Sequence, residues 1–421
     1  MNVYTKETYI NKLNSQLSFD TQKTVDDKVN TIIQAVKVNG DDALRRYTET
    51  FDLVKLESLN VSQQDILEAY LNVSDNVKAA LQKAIINIQT YHQQQRYDSF
   101  EYEVNGRFIG QQVTPIFRVG LYIPGGTASY PSTVLMSAIP AIIAGVKEIV
   151  LISPPNQQGN IAPSILVAAD MLGITKIFKV GGAQGIAALT FGTKSIPKVD
   201  KIVGPGNQYV ATAKKLVSGI VGIDTIAGPS EVVILADASS NPAFIAADML
   251  AQAEHDTLAK AICISTSESL LKEVNKELQR QLSLLSRETI ARTAIEQEGA
   301  LILVDTIDEG IELINRIAPE HLELLCEDAM CIKDSILNAG AIFIGPYTPE
   351  PVGDYMAGPN HTLPTSGVAR FSSGLSTYDF LKRTSYVSYT KDAFLEDQQA
   401  IIDLAEEEGL TAHAASIKVR L

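Results

Sequence analysis

Five histidines occur in this 421-residue chain, and several stand where chemistry is a credible reason for their presence. In "AQAEHD" (251–256), Gln252 and His255 are three residues apart and share one face of a helix. They fall at the helix C-terminal end, where the dipole favours a cation. Asp354 lies in a loop rich in proline and glycine, and His413 lies in "EEEGLTAHAAS" near the chain end. An amide oxygen, two imidazoles and a carboxylate suit a divalent ion such as zinc, with room left for substrate atoms. The members are far apart in sequence, so spacing alone leaves open that they never meet. "IAPEHLEL" offers a different chemistry. Pro319 at a first helical position would put Glu320 and His321 in the first helical turn. The dipole there would keep His321 neutral and able to accept a proton, with Glu320 serving a second transfer. An ordinary capped helix start explains the same residues. His92 sits in a polar helix and reads as solvated, and His361 is within sequence reach of Asp354.

The elements that must position these residues follow a clear rhythm from residue 117 onward. Short β-branched runs lead through glycine turns into helices: "FRVGLYIPGG", "EIVLISPP", "KIFKVGGAQG", "KIVGPGN", "SEVVILAD", "AKAICIST", "ALILV" and "AGAIFIG". Strands alternating with helices imply βαβ units and parallel sheets. The expected fold is α/β, with two open Rossmann-like domains, one inserted in the other. Residues 1–25 form an N-terminal arm that docks elsewhere. Residues 26–116 and 229–375 form the first domain, 117–228 the second, and 376–421 a helical C-terminal arm. The segment 27–100 reads as helical. Residues 345–367 hold five prolines and four glycines, read as neither helix nor strand, and such a long irregular stretch is usually functional.

Composition excludes some classes. A net charge of −14 without a basic run argues against nucleic acid or anionic membrane as partner. The N-terminus lacks the apolar core of a signal peptide, and no apolar run reaches a membrane span. Three cysteines without a CxxC pair suggest reduced thiols in the cytoplasm, with Cys263 buried in a strand. None of the glycine turns is a full G-x-G-x-x-G. Three of them, at Gly125–Gly126, Gly181–Gly182 and Gly204–Gly206, nonetheless open helices of one inferred sheet. Backbone N–H groups there could hold a dinucleotide phosphate, and tight strand–helix packing is the competing explanation.

Taken together and in order, "LYIPGG", "VGGAQGIAALTFGT", "VDKIVGPGNQYV", "AGPSEV", "AQAEHD", "APEHLE", "GDYMAGPNHTLPT" and "LTAHAASI" closely resemble the histidinol dehydrogenase family, from about residue 27 to the end. The resemblance implies a zinc- and NAD-dependent oxidation of L-histidinol to L-histidine through L-histidinaldehyde, in histidine biosynthesis. It assigns zinc to Gln252, His255, Asp354 and His413, and the proton acceptors to Glu320 and His321. Substrate would meet Ser230, Gln252, His255, His321, Asp354, Glu408 and His413. NAD would meet Tyr122, Gln184 and Asn207. The family's tail reaches the partner's site, which implies a homodimer with shared sites. Three rivals are a zinc hydrolase of a nitrogen-containing small molecule, a non-catalytic ligand-binding protein, and a thiol-dependent aldehyde dehydrogenase acting through Cys263.

Overall fold

A computed structural model describes residues 1–15, 23–125, 129–226 and 228–421. The chain starts with strand Asn2–Thr5 (β1) and helices Lys6–Ser15 (α1), Lys23–Phe51 (α2), Gln63–Asn72 (α3) and Asp75–His92 (α4). A hairpin of Phe100–Val104 (β2) and Arg107–Pro115 (β3) follows. The next unit alternates Arg118–Tyr122 (β4), Pro131–Ala144 (α5), Glu148–Ser153 (β5), Pro163–Met171 (α6), Lys176–Lys179 (β6), Gly182–Phe191 (α7), Lys201–Val203 (β7), Gln208–Val217 (α8) and Gly222–Ile223 (β8). A second unit comprises Glu231–Ala236 (β9), Pro242–Ala253 (α9), Lys260–Ser265 (β10), Glu268–Leu282 (α10), Glu288–Gln297 (α11), Ala300–Leu303 (β11), Ile307–Ile317 (α12), His321–Leu324 (β12), Ala329–Ile332 (α13) and Ala341–Ile344 (β13). The chain closes with Glu350–Val352 (α14), Leu381–Tyr389 (β14), Lys391–Glu407 (α15) and Thr411–Lys418 (α16).

Two parallel sheets organise the molecule. The smaller runs β6-β5-β4-β7-β8, and the larger β1-β11-β10-β9-β12-β13. Numbered within its own unit, each contains the order 3-2-1-4-5 of a dinucleotide-binding half. Every residue of β9, "EVVILA", is buried, as expected for a parallel strand covered on both faces. Helix α9 begins with the Asn241 side chain accepting the Ala243 N–H and with Pro242 at its first position.

Several elements depart from the sequence expectation. β1 is no arm docked elsewhere: it pairs in parallel with β11 of its own chain, and Tyr9 of α1 is buried in that sheet's core. Residues 16–22 of that segment lie outside the described residues. Residues 26–116 do not pack with 229–375 as one domain. Val29, Ile33 and Leu44 of α2 join Tyr122, Ile152 and Phe178 of the smaller sheet, and Leu81 and Ile88 of α4 join its other face with α5. Within 27–100 the helical expectation holds, with three helices, but a hairpin that the sequence reading did not foresee follows it. β2 and β3 turn at Asn105–Gly106, both with positive φ, and β14 from the tail completes their antiparallel sheet. His92 is wholly buried rather than solvated, with Nδ1 2.7 Å from the Gln95 side chain.

Candidate active site

The smaller sheet presents its carboxyl edge. Where strand order reverses, between β4 and β7, Tyr122 closes β4 and the "GPGN" turn follows β7. Gly204 has φ 119°, and a Cβ there would overlap the Tyr122 carbonyl oxygen. A buried ion pair of Lys214 and Asp224 fixes this turn: Lys214 Nζ donates to the Gly204 carbonyl (3.0 Å), and Gly204 N–H donates to Asp224 (2.7 Å). Asn207 caps α8, its side-chain oxygen accepting from the N–H groups of Tyr209 and Val210. The Gly182 N–H at the start of α7 donates to the Tyr122 hydroxyl (3.2 Å). Gln184 is buried, with Oε1 unpartnered. A cavity of about 1230 Å³ opens here, lined by Tyr122, Gln184 and Asn207, by Tyr47 of α2 and by Asp52 just after it. Tyr122 is thus the last residue of a strand, not part of a glycine turn, and Gly126 of the first turn lies outside the described residues.

The larger sheet works at the opposite, amino edge. His321 and Glu320 stand where β12 begins beside β9, so His321 is the first residue of a strand and not part of a helical turn. Its neutrality therefore has another cause. Burial lowers its pKa to about 3, and proximity of His255 and His361 acts in the same direction. Nδ1 lies 3.1 Å from the Glu231 carbonyl oxygen, which makes it the donor and leaves Nε2 as an acceptor, buried and unpartnered. The Glu320 carboxyl accepts the Glu231 N–H (2.9 Å) and bonds to Ser230. Burial nonetheless raises it well above the usual range, helped by Glu231 and Asp354. Glu320 Oε2 and His321 Nδ1 are 3.8 Å apart.

Segment 345–367 is not wholly irregular: α14 and one wide turn at Gly353–Ala357 bring Glu350 and Asp354 to His321. One ligand atom from each of these three lies within 4.8 Å of the others. Burial raises the Asp354 carboxyl to about 7 and Glu350 well above the carboxylate range. Behind them Glu323 accepts the Glu350 N–H (2.9 Å) and bonds to Asp248. Sequence reading missed Glu350, Glu323 and Asp248. The one signal was a glutamate inside the apolar strand "HLEL", which alternation turns to the same face as His321. His361 Nδ1 is 3.2 Å from the Asp354 carbonyl oxygen. Asn87 of α4 donates to the Met356 carbonyl (2.7 Å), gripping the same turn.

His255 and Asp354 line a second cavity, of about 570 Å³, with Glu254 and Arg287. Gln252 lies one turn before His255, fully buried, with both amide atoms unpartnered. Ser129 lines both cavities. Within one chain His413 and Glu408 are not brought to this site; both are exposed on the terminal helical pair α15–α16, which has a small core of its own. Gln252 thus brings a buried, unpartnered amide, which left unmet would cost about 1–3 kcal/mol. His255 and Asp354 line the smaller cavity with an imidazole and a carboxylate, donor types that suit a borderline divalent ion. The unpartnered imidazole and carboxylate nearby belong to His321 and Glu350, which form a tight group with Asp354. Cys263 is remote from this chemistry: it is buried among apolar side chains, its thiol pushed up to about 12 by burial.

Two Rossmann-like parallel sheets, with a large crevice on one and a buried His–carboxylate centre on the other, define an α/β protein of the doubly wound class. The family model described as histidinol dehydrogenase matches residues 16–421, and the chain belongs to that family. The histidinol dehydrogenase of Bacillus cereus is 52% identical over 400 residues, covering 95% of this chain and 93% of its own. That of Clostridium acetobutylicum is 52% identical over 393 residues, covering 93% and 91%. The crystal structure of histidinol dehydrogenase from Elizabethkingia anophelis superposes with a TM-score of 0.90 at 42% identity, covering 96% of this chain and 93% of that one. Among the described residues no helix is long and apolar enough to cross a membrane.

Proposed function

We propose that the protein oxidises L-histidinol to L-histidine through L-histidinaldehyde, using two NAD and one zinc ion per subunit, as a cytoplasmic homodimer. Gln252, His255 and Asp354 of one subunit and His413 of a second copy would hold the ion. Glu408 of that second copy and Ser230 would complete the substrate site, and Tyr122, Gln184 and Asn207 would contact NAD. The observation that carries this reading is the meeting of the two cavities at Ser129, with Asp354, which lines the smaller one, within 4.8 Å of the neutral His321. When bound, NAD supplies the hydride acceptor and zinc anchors the nitrogen donors of the substrate.

The residues then divide the proton work. His321, held in one tautomer by the Glu231 carbonyl, receives the hydroxyl proton at Nε2 as hydride leaves the carbinol carbon. The resulting imidazolium lies 3.8 Å from Glu320, whose carboxylate stabilises it. For the second oxidation Glu320 takes a proton from the water that adds to the aldehyde carbon; burial has already raised its affinity for that proton. Enclosure retains the aldehyde between steps. The test is stoichiometric: histidinol and excess NAD should yield two NADH per histidinol consumed. Absence of NADH would return the hydrolase reading, with a different nitrogen-containing substrate.

A further inference from the structure

The larger cavity has a feature that the proposed contacts of Tyr122, Gln184 and Asn207 leave unused. Helix α2 ends against it, and Tyr47, Phe51 and Asp52 line it from that end. The rings of Tyr47 and Phe51 stack at 5.5 Å and 10°, and Phe51 is 54% exposed, so one aromatic face remains open. The Asp52 N–H closes the last helical turn on the Thr48 carbonyl (2.9 Å). Its carboxylate oxygen Oδ2 is buried with no hydrogen-bond partner. Gln184 Oε1, across the same cavity, is also buried and unpartnered. Two orphaned acceptors around one cavity call for a ligand that brings donors. Among the described lining residues, Asp52 is the one anion and Lys28 the one cation, and Lys28 makes no ion pair.

We propose that Asp52 accepts hydrogen bonds from the adenosine ribose hydroxyls of the dinucleotide, and so makes the protein select NAD over NADP. This rests on the NAD reading above. Adenine would stack on the open face of Phe51, because any purine has a π face to offer. The adjacent ribose would then bring its 2′- and 3′-hydroxyls to Asp52, meeting its unpaired acceptor. A 2′-phosphate carries up to two negative charges and no donor at neutral pH. Beside a half-buried carboxylate it would meet repulsion little screened by water, so discrimination comes from rejecting the wrong ligand as well as fitting the right one. Lys28 does not reverse this preference: the pyrophosphate common to both dinucleotides is its natural counter-ion. Dinucleotide domains often place an acidic residue on the ribose. Here it arrives from a helix outside the sheet, so the usual sequence offset could not reveal it.

Equilibrium binding of NADH and NADPH to the zinc-loaded protein, by calorimetry without substrate, tests this. The native protein should bind NADH at least ~50-fold more tightly than NADPH. Asp52→Asn and Asp52→Ser should bring the ratio within ~5-fold, chiefly by tightening NADPH, while Asp52→Glu should keep the preference. Lys28→Met should weaken both by a similar factor. Folded Asp52→Asn and Asp52→Ser proteins that retain the native ratio overturn the assignment, as does a Lys28→Met protein that loses NADPH alone. If Gln184→Ala weakens NADH while the Asp52 variants keep the ratio, only the Asp52 assignment falls. A native protein that binds neither nucleotide overturns the NAD reading, and this inference with it.

Discussion

The two parallel sheets share one strand order yet present opposite ends to chemistry. At the smaller sheet the reversal between β4 and β7 opens at its carboxyl edge, the usual place for a crevice. Its amino edge is closed by charge: Arg118 pairs with Glu148 (2.6 Å), which also holds Lys176 (2.6 Å). At the larger sheet the pattern is inverted. The carboxyl edge between β9 and β12 is filled by Asp237, which accepts from Ser239 and the Glu327 N–H, and by Ser240 donating to the Leu325 carbonyl. Buried His321 and Glu320 occupy the amino edge. Strand order therefore sets where a crevice can form, and side chains decide which end stays open. The crevice at the usual edge is lined mostly by neutral groups and backbone, with Asp52 and Lys28 as its charged side chains. The other concentrates carboxyls whose burial must be offset by an ion or by protons.

The largest effect expected at the amino edge is on turnover. His321→Asn should lower kcat by ~100-fold or more, with zinc content and NADH affinity unchanged. If kcat survives, His321 is not the base. Next comes metal retention. Asp354→Asn should lose most of its zinc by elemental analysis, and mixing an inactive His413 variant with an inactive His321 variant should restore part of the activity. Full zinc in Asp354→Asn would remove that residue from the ligand set, and no recovery in mixed dimers would count against a shared site. At the carboxyl edge, Gln184→Ala should raise the KM for NAD ~10-fold with little change in kcat, since that edge binds and does not react. A drop in kcat alone would contradict the division.

The smallest effect concerns pH and the metal-free protein. Carboxyls whose folded pKa is raised contribute stability that is full below their unfolded values and lost as pH rises through the folded ones. Asp354, at about 7, should therefore make the metal-free Tm fall by ~2 °C or more between pH 6 and 8. His321, lowered to about 3, and His361, to about 4, have the opposite sign: their stabilisation is complete above pH 6.5 and disappears only toward acid. Glu323→Gln should flatten the alkaline decline. A Tm independent of pH across that window would mean the carboxyls are solvated.

Much of the architecture was legible because parallel strands are continuous apolar runs ended by glycine, and the motifs around them are specific. The hairpin β2–β3 was missed although Asn-Gly between alternating residues is the turn its twist requires. Its first strand, "FEYEV", alternates strictly but is short and exposed on both faces, so no buried face marked it out. "APEHLEL" misled because Pro319 suits a helix start, whereas pairing of β12 with both β9 and β13 outweighs that local preference. His92 was misjudged because helix polarity describes solvent, not the tail segment around Asn360 and Thr377 that covers it. Glu350 was invisible for a similar reason: its place beside His321 depends on a short turn in a stretch that composition marks only as irregular.

The grip of Asn87 on the turn carrying Asp354 has one more consequence. A ligand on an untethered loop must give up backbone freedom when it captures an ion, and affinity falls by that amount. Here the freedom has already been surrendered to a helix seated on the opposite sheet, so the carboxylate waits in a prepared place. The half of the protein built on the smaller sheet thereby supports the rigidity of a centre it does not itself contain.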